Sequence, residues 1–168
     1  MPGDTRGNGE AGASPIAAEG PQLFINLQYI KDFSFENPRA PQSLVQQPSQ
    51  PEVTINVDVA AQNLNPEAYE VALTINVSAR VQEEPVFLVE LVYAAVVTIR
   101  NAPEPMLASL LLVESPRIIF PFARAVIANA TRDGGFPPLM INPIDFAELL
   151  RRRQSPEQPD PGEDETTV

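Results

Sequence analysis

The stretch VFLVELVYAAVVTI, Val86 to Ile99, is apolar on both of its alternating faces. Phe87, Val89, Leu91 and Tyr93 share one parity, Leu88, Val92 and Ala94 share the other, and Glu90 is the one charge inside it. A run this rich in β-branched and aromatic residues predicts a strand, and apolar side chains on both faces predict a neighbour on each side. One neighbour is the core of the chain itself. The other is a second body, either a helix layer or a second subunit. An ordinary central strand covered by helices is the alternative, although only a few short helical patterns remain elsewhere in the chain.

Working outward, YEVALTINVSARV alternates through Tyr69, Val71, Leu73, Ile75, Val77, Ala79 and Val81 with mostly polar residues between them. VTINVDVAAQ alternates through Val53, Ile55, Val57 and Val59 against Thr54, Asn56 and Asp58. Each predicts a strand with one wet face, with NLNPEA and QEEP as the turns between strands. LFINLQYIKDFSFE places Leu23, Ile25, Leu27, Tyr29, Phe33 and Phe35 on one parity, which predicts one long strand or two halves sharing a bend. Within it, Asp32, Ser34 and Glu36 form a polar, acidic row opposite Tyr29, Phe33 and Phe35. The four prolines of NPRAPQSLVQQPSQP predict an extended connection.

Beyond Asn101 the alternation ends. PEPMLASLLLVESP predicts a short helix from about Met106 to Val113, stopped by Pro116. FPFARAVIANATRDGG predicts a second helix with Pro121 in its first turn and Gly134 at its end. FPPLMINPI reads as extended. DFAELLRRRQ predicts a last helix, with Asp145 near its N-terminus and Arg151, Arg152 and Arg153 complementing the dipole at its C-terminus. The class is α+β: a four-stranded antiparallel sheet followed by C-terminal helices. Composition predicts a disordered leader over residues 1–21, one folded domain over 22–153 and a disordered acidic tail over 154–168.

The formal charge is −11, and between Gln22 and Leu150 there are 14 acids against 7 bases. Phosphate backbones are repelled by such a surface, whereas a basic protein module is steered toward it. The acidity could equally be a solubility device. With no Cys and no His, disulfides, thiolate nucleophiles, Ser/His triads and the usual zinc ligand sets are excluded. No Gly-rich phosphate loop is present, so ATP has no visible cradle. Glu83 and Glu84 sit at a turn, where adjacent acids are normally solvated, and Asp145 reads as a helix cap rather than a base. No secretory signal is visible at the N-terminus, which also removes the weight of the NVS and NAT glycosylation patterns, and charged or polar residues interrupt every apolar run before bilayer-spanning length. The expectations are no catalysis, no metal site, no cofactor, no nucleic acid, no stable membrane insertion and a cytoplasmic location.

The segments YIKDFSFENPRAP, YEVALTINVSA, EEPVFLVELVYAAVVTI, SPRIIFPFARAVI and GGFPPLMINPIDFAELL, in this order and spacing, resemble the SecB family of bacterial export chaperones. The similarity runs from about Leu23 to Leu150, 128 residues, and KDFSFE, IIFPFAR and FPPLMINPIDF are its most specific parts. The resemblance implies a homotetramer, a dimer of dimers, that holds new precursors unfolded without ATP and passes them to the SecA motor. In the family an acidic face docks the zinc-bearing C-terminal tail of SecA. The matching positions are Asp32, Glu36, Leu88 and Glu90. The chain departs from the family at Ser49, near a position commonly held by Trp, where QQPSQPEV carries a small insertion, at Val89, where Cys is frequent, and at Arg151–Arg153.

For client capture the expected groove residues are Phe87, Leu91, Leu149 and Leu150, apolar on the fourth strand or last helix, with simple core packing as the other account of each. Val89 and Tyr93 are the expected subunit contacts. Two other classes stand beside the export chaperone. One is a small-molecule carrier or enzyme with a sheet pocket, for which Glu90 alone offers thin support. The other is a SecB-like interaction module with a narrow client set, such as a toxin–antitoxin chaperone.

Overall fold

The computed structural model describes residues 20–46 and 49–155. The expected leader lies outside the described residues up to residue 19, and the expected tail does so from residue 156. Strand β1 (Gln22–Glu36) leads through a single helical turn, α1 (Gln42–Val45), into β2 (Glu52–Asn63), β3 (Ala68–Val81) and β4 (Glu84–Arg100). The strands form one antiparallel sheet in the order β1-β4-β3-β2, so the connection after β1 crosses the sheet to reach its far edge. The α1 turn interrupts the connection expected to be extended throughout. The β2–β3 turn is closed by Asn65, whose Oδ1 accepts from the backbone N–H groups of Glu67 (3.1 Å) and Ala68 (2.9 Å).

Strand β4 is central and carries the core. Phe87, Val89, Leu91, Tyr93, Ala95, Val97 and Ile99 are buried on one face together with Val71, Leu73, Ile75, Val77 and Ala79 of β3. Helices cover this face alone. The opposite parity lies on the open face: Leu88, Val92, Val96 and Thr98 are half-buried and Glu90 is exposed, while the small Ala94 is fully covered between β1 and β3. No second layer lies on it among the described residues. The second neighbour expected for this strand is therefore absent among the described residues of one chain.

The parity expected of β1 is corrected by two bulges, between Ile25 and Leu27 and between Ile30 and Asp32. An extra residue in one strand rotates everything after it to the other face. Leu23 and Ile25 pair with Ile99 and Val97 on the core face, whereas Leu27 and Tyr29 pair with Val96 and Ala94 on the open face. After the second bulge Phe33 and Phe35 return to the core face, and Asp32, Ser34 and Glu36 share the open face. Tyr29 thus stands with the acids and not with the two phenylalanines.

The two expected helices after Asn101 are one continuous rod. Helix α2 (Glu104–Ser109) runs through a π-helical turn at Leu110–Glu114 into α3 (Ser115–Asp133). Pro116 was expected to stop a helix and instead occupies the first turn of α3. The π-turn widens the ladder just where a proline N–H is missing. There the Leu110 carbonyl accepts from both the backbone N–H and the hydroxyl of Ser115, the latter at 2.7 Å. By length and composition alone the joined segment Glu104–Asp133 could cross a bilayer, contrary to the expectation that no run was long enough. It lies along the sheet instead, with Ile119, Ala123 and Ile127 fully buried. Thr131, also buried, ties the extended connection to α3 by accepting from the Leu139 N–H at 2.9 Å. Helix α4 (Phe146–Gln154) begins where Asp145 Oδ1 accepts from the Glu148 N–H at 2.9 Å, the cap expected, and buries Phe146 against Phe120.

Phe35, Phe87 and Phe136 stack in a row, with centroid separations of 6.1 and 4.9 Å, and link β1 through β4 to the end of α3. Gly134 lets the Phe35 ring approach, since a Cβ there would lie 2.3 Å from Phe35 Cζ, and Gly135 holds φ +90°. Gly134→Ala must displace that ring, and we expect a loss of about 1–3 kcal/mol in urea unfolding. An unchanged urea midpoint would show that the ring moves aside without cost.

Candidate protein-binding face

Pairing aligns the open face into rows that cross the sheet. One row reads Glu36, Leu88, Ser78 and Thr54; the next reads Ser34, Glu90, Asn76 and Asn56; a third reads Asp32, Val92, Thr74 and Asp58. The acids of β1 thus lie diagonally across from Glu90, within the ~7–8 Å typical of diagonal neighbours on a sheet. The first two rows floor a shallow depression of about 150 Å³ lined by Ser34, Glu36, Asn56, Asn76, Ser78, Leu88 and Glu90. Leu88 is its half-buried apolar member. Asp32, Glu36 and Glu90 are exposed, and none of them makes an ion pair or side-chain hydrogen bond among the described residues. Three like charges held close without an ion-pair partner among the described residues create a local negative potential that a basic segment can relieve, and the nearest cation at this depression is Arg80, whose Nε donates to Ser78 Oγ at 3.2 Å. Strand parity groups Asp32 with Glu36 and Leu88 with Glu90, and strand pairing brings the two groups into one patch.

The acids elsewhere on this face are differently placed. Glu70 is paired with Lys31, whose bulge projects it over the sheet, and accepts from Gln62 Nε2 at 3.1 Å. The hydrogen bond from Lys31 holds the Glu70 carboxyl below its usual range, while burial, followed by the neighbouring Glu70, raises the Tyr29 hydroxyl. Asp58 is paired with Arg153 of α4. Free negative charge is therefore concentrated on the end of the sheet where Asp32, Glu36 and Glu90 meet.

The other expected positions fall elsewhere. Phe87 and Leu91 lie on the helix-covered face, 5% and 0% exposed, packed among Phe35, Phe136 and the strand β3 side chains. Leu149 and Leu150 on α4 are half-buried against the same core. Val89 is buried as well, and Tyr93 is nearly so, its hydroxyl donating to Gln28 Oε1 at 3.3 Å. Apolar surface is offered instead by β1, an edge strand on which Phe24, Leu27, Ile30 and Phe33 are each between 39% and 51% exposed. This surface is not expected from the alternation of β1, whose signal for it is Phe24 and Ile30 standing on the parity assigned to polar residues. No cluster of residues able to hold a metal occurs among the described residues.

Comparison with known proteins places this arrangement in a family. The family model for the preprotein translocase subunit SecB matches residues 17–157. The protein-export protein SecB of Afipia carboxidovorans is 50% identical over 143 residues, covering 85% of this chain and 89% of that protein. The corresponding protein of Parvibaculum lavamentivorans is 50% identical over 147 residues, covering 87% and 88%. Among solved structures, a Mycobacterium tuberculosis SecB-like chaperone in complex with a ChAD peptide from the HigA1 antitoxin superposes with a TM-score of 0.57. It is 17% identical and covers 73% of this chain and 90% of its own, a likeness of fold. With half of its residues shared over nearly the full length of such relatives, and with their family model spanning the whole sheet and every helix, this chain belongs to the SecB family.

Proposed function

We propose that this chain is a protein-export chaperone that binds unfolded precursor proteins without ATP, keeps them competent for translocation and delivers them to the SecA motor. The observation that carries the reading is the unequal use of the two sheet faces in a member of this family. One face is sealed by helices, and the other displays three acids that have no ion-pair partner among the described residues, around a small apolar contact. Such a face suits the basic, zinc-bearing tail of SecA, because complementary charge raises the encounter rate and selects the partner. Half-identical relatives that are export proteins favour this reading over a narrow-client, toxin-associated one. The chain acts by binding and not by catalysis, and it works in the cytoplasm.

Assembly as a homotetramer, a dimer of dimers, is part of the proposal. The exposed Phe24, Leu27, Ile30 and Phe33 lie along an edge strand whose outer backbone groups have no strand partner among the described residues, and a second copy would cover both. Client segments bind through burial of many small apolar contacts summed over the assembly. Leu149 and Leu150 can contribute to such a surface directly, whereas Phe87 and Leu91 would first have to be uncovered.

Asp32→Ala combined with Glu36→Ala should weaken binding of the SecA C-terminal tail, measured calorimetrically at low salt, by about tenfold, and should flatten its salt dependence. Suppression of client aggregation in the absence of nucleotide should stay intact. Equal tail affinity in mutant and wild type would reduce these acids to a solvated face. In native mass spectrometry the wild type should appear as a tetramer, and Ile30→Asp or Phe33→Asp should shift it to smaller species. A monomeric wild type at micromolar concentration would remove the assembly from the proposal.

A further inference from the structure

The acidic patch on the open face has cations near its margins, and they are not alike. Toward the middle of the sheet Lys31 is ion-paired with Glu70, and at the β2 edge Arg153 is ion-paired with Asp58. Arg80 of β3 is held by neutral acceptors: its Nε donates to Ser78 Oγ at 3.2 Å and its Nη1 to the Glu83 carbonyl at 3.4 Å. It makes no ion pair among the described residues, neither with Glu52, its partner in register on β2, nor with the Glu83 carboxylate. Its guanidinium leans along the strand to Ser78, which lines the depression shared with Glu36, Leu88 and Glu90. A positive charge without an ion pair thus stands at the rim of a depression whose acids have none either.

Acids alone give a basic segment affinity but little selectivity, because they attract cations in any register. A like charge costs most within a Debye length, ~8 Å at physiological salt, and a group seated on Ser78 is well inside that distance of the Arg80 guanidinium. The rest of the depression on this side is neutral. Asn56 and Asn76, paired in register, line it, and their exposed amides make no side-chain hydrogen bond among the described residues. Each offers donors and an acceptor that suit uncharged polar groups and peptide backbone.

We propose that Arg80 determines the specificity of this face: its guanidinium excludes a second cation from the Ser78 end of the depression, so that a basic partner segment docks in one register, with its cations over Asp32, Glu36 and Glu90 and an uncharged stretch over Asn76 and Asn56. The inference rests on the docking reading above and names the residue that selects among basic segments. A segment charged along its whole length gains at the acids and loses at Arg80. One with its charge at one end and neutral polar groups at the other meets a matched surface at both.

The test compares two probes on the full chain by calorimetry at low salt: the zinc-loaded C-terminal tail of SecA, and octalysine, which is charged along its whole length. Arg80→Gln should tighten octalysine binding by about fivefold and change tail binding by less than about twofold. Arg80→Lys, which keeps the charge and loses the guanidinium fork, should keep the wild-type ratio of the two affinities. The octalysine gain should vanish when Asp32→Ala and Glu36→Ala are added, because the probe is then no longer drawn to this face. Arg80→Met gives the same comparison if Arg80→Gln does not fold. Equal gains for both probes, no gain for octalysine, or weaker tail binding by Arg80→Gln would overturn the selective role of Arg80 while leaving the docking reading in place. A tail bound equally by wild type and by Asp32→Ala with Glu36→Ala would overturn both.

Discussion

Burial of one parity of β4 beneath the helices is the contact on which the rest of the molecule depends. β4 is hydrogen-bonded on both sides, to β1 and to β3, and its side chains from Phe87 to Ile99 are buried at every second position. Because the period of a strand is two, this burial fixes which face Leu88 and Glu90 must take. Pairing then carries the assignment outward to Glu36 and Ser34 on one side and to Ser78 and Asn76 on the other. The acidic face is thus a consequence of core burial, and no residue in it has to be positioned by a contact of its own.

The two bulges in β1 convert that constraint into a surface of mixed character. Without them, an edge strand with Leu23, Ile25, Leu27, Tyr29, Phe33 and Phe35 on one parity would bury all six on the core face. With them, Leu27 and Tyr29 turn to the open face and Ile30 to the core face, where the helices leave it half-exposed. The strand is therefore acidic on the open face of its C-terminal end, while exposed apolar side chains run along it from Phe24 to Phe33. Bulges are favoured at sheet edges because only one neighbour must accommodate the extra residue.

Helix continuity matters in the same way on the covered side. The π-turn at Leu110–Glu114 keeps α2 and α3 in one rod despite Pro116, so the rod spans the sheet from the β2 edge to β1. Its α2 end forms one wall of a cleft beside β2, and α4 lies across the π-turn with Arg153 donating to the Val59 carbonyl at the β2 edge. The departure from the family at Arg151–Arg153 thereby acquires a physical meaning: two of the arginines stabilise their own helix, and the third joins it to the sheet.

By itself the sequence determined the four antiparallel strands, the parity of β2, β3 and β4, the Asp145 cap and the family, because these depend on local alternation, local hydrogen bonding and motifs read in order. The bulges in β1, the joining of α2 to α3 and the burial of Phe87 and Leu91 were decided by tertiary structure. A bulge costs one unpaired residue and is favoured only if the neighbouring strand gains better burial, and nothing within LFINLQYIKDFSFE reports what β4 presents to it. Pro116 breaks a regular helix in isolation and survives here because Leu111 and Val113, packed against the core, hold the widened turn in place. Which apolar face of β4 would be sealed was equally open from its sequence, since Leu88 and Phe87 are alike in hydrophobicity, and only the side to which the crossing helix is delivered distinguishes them.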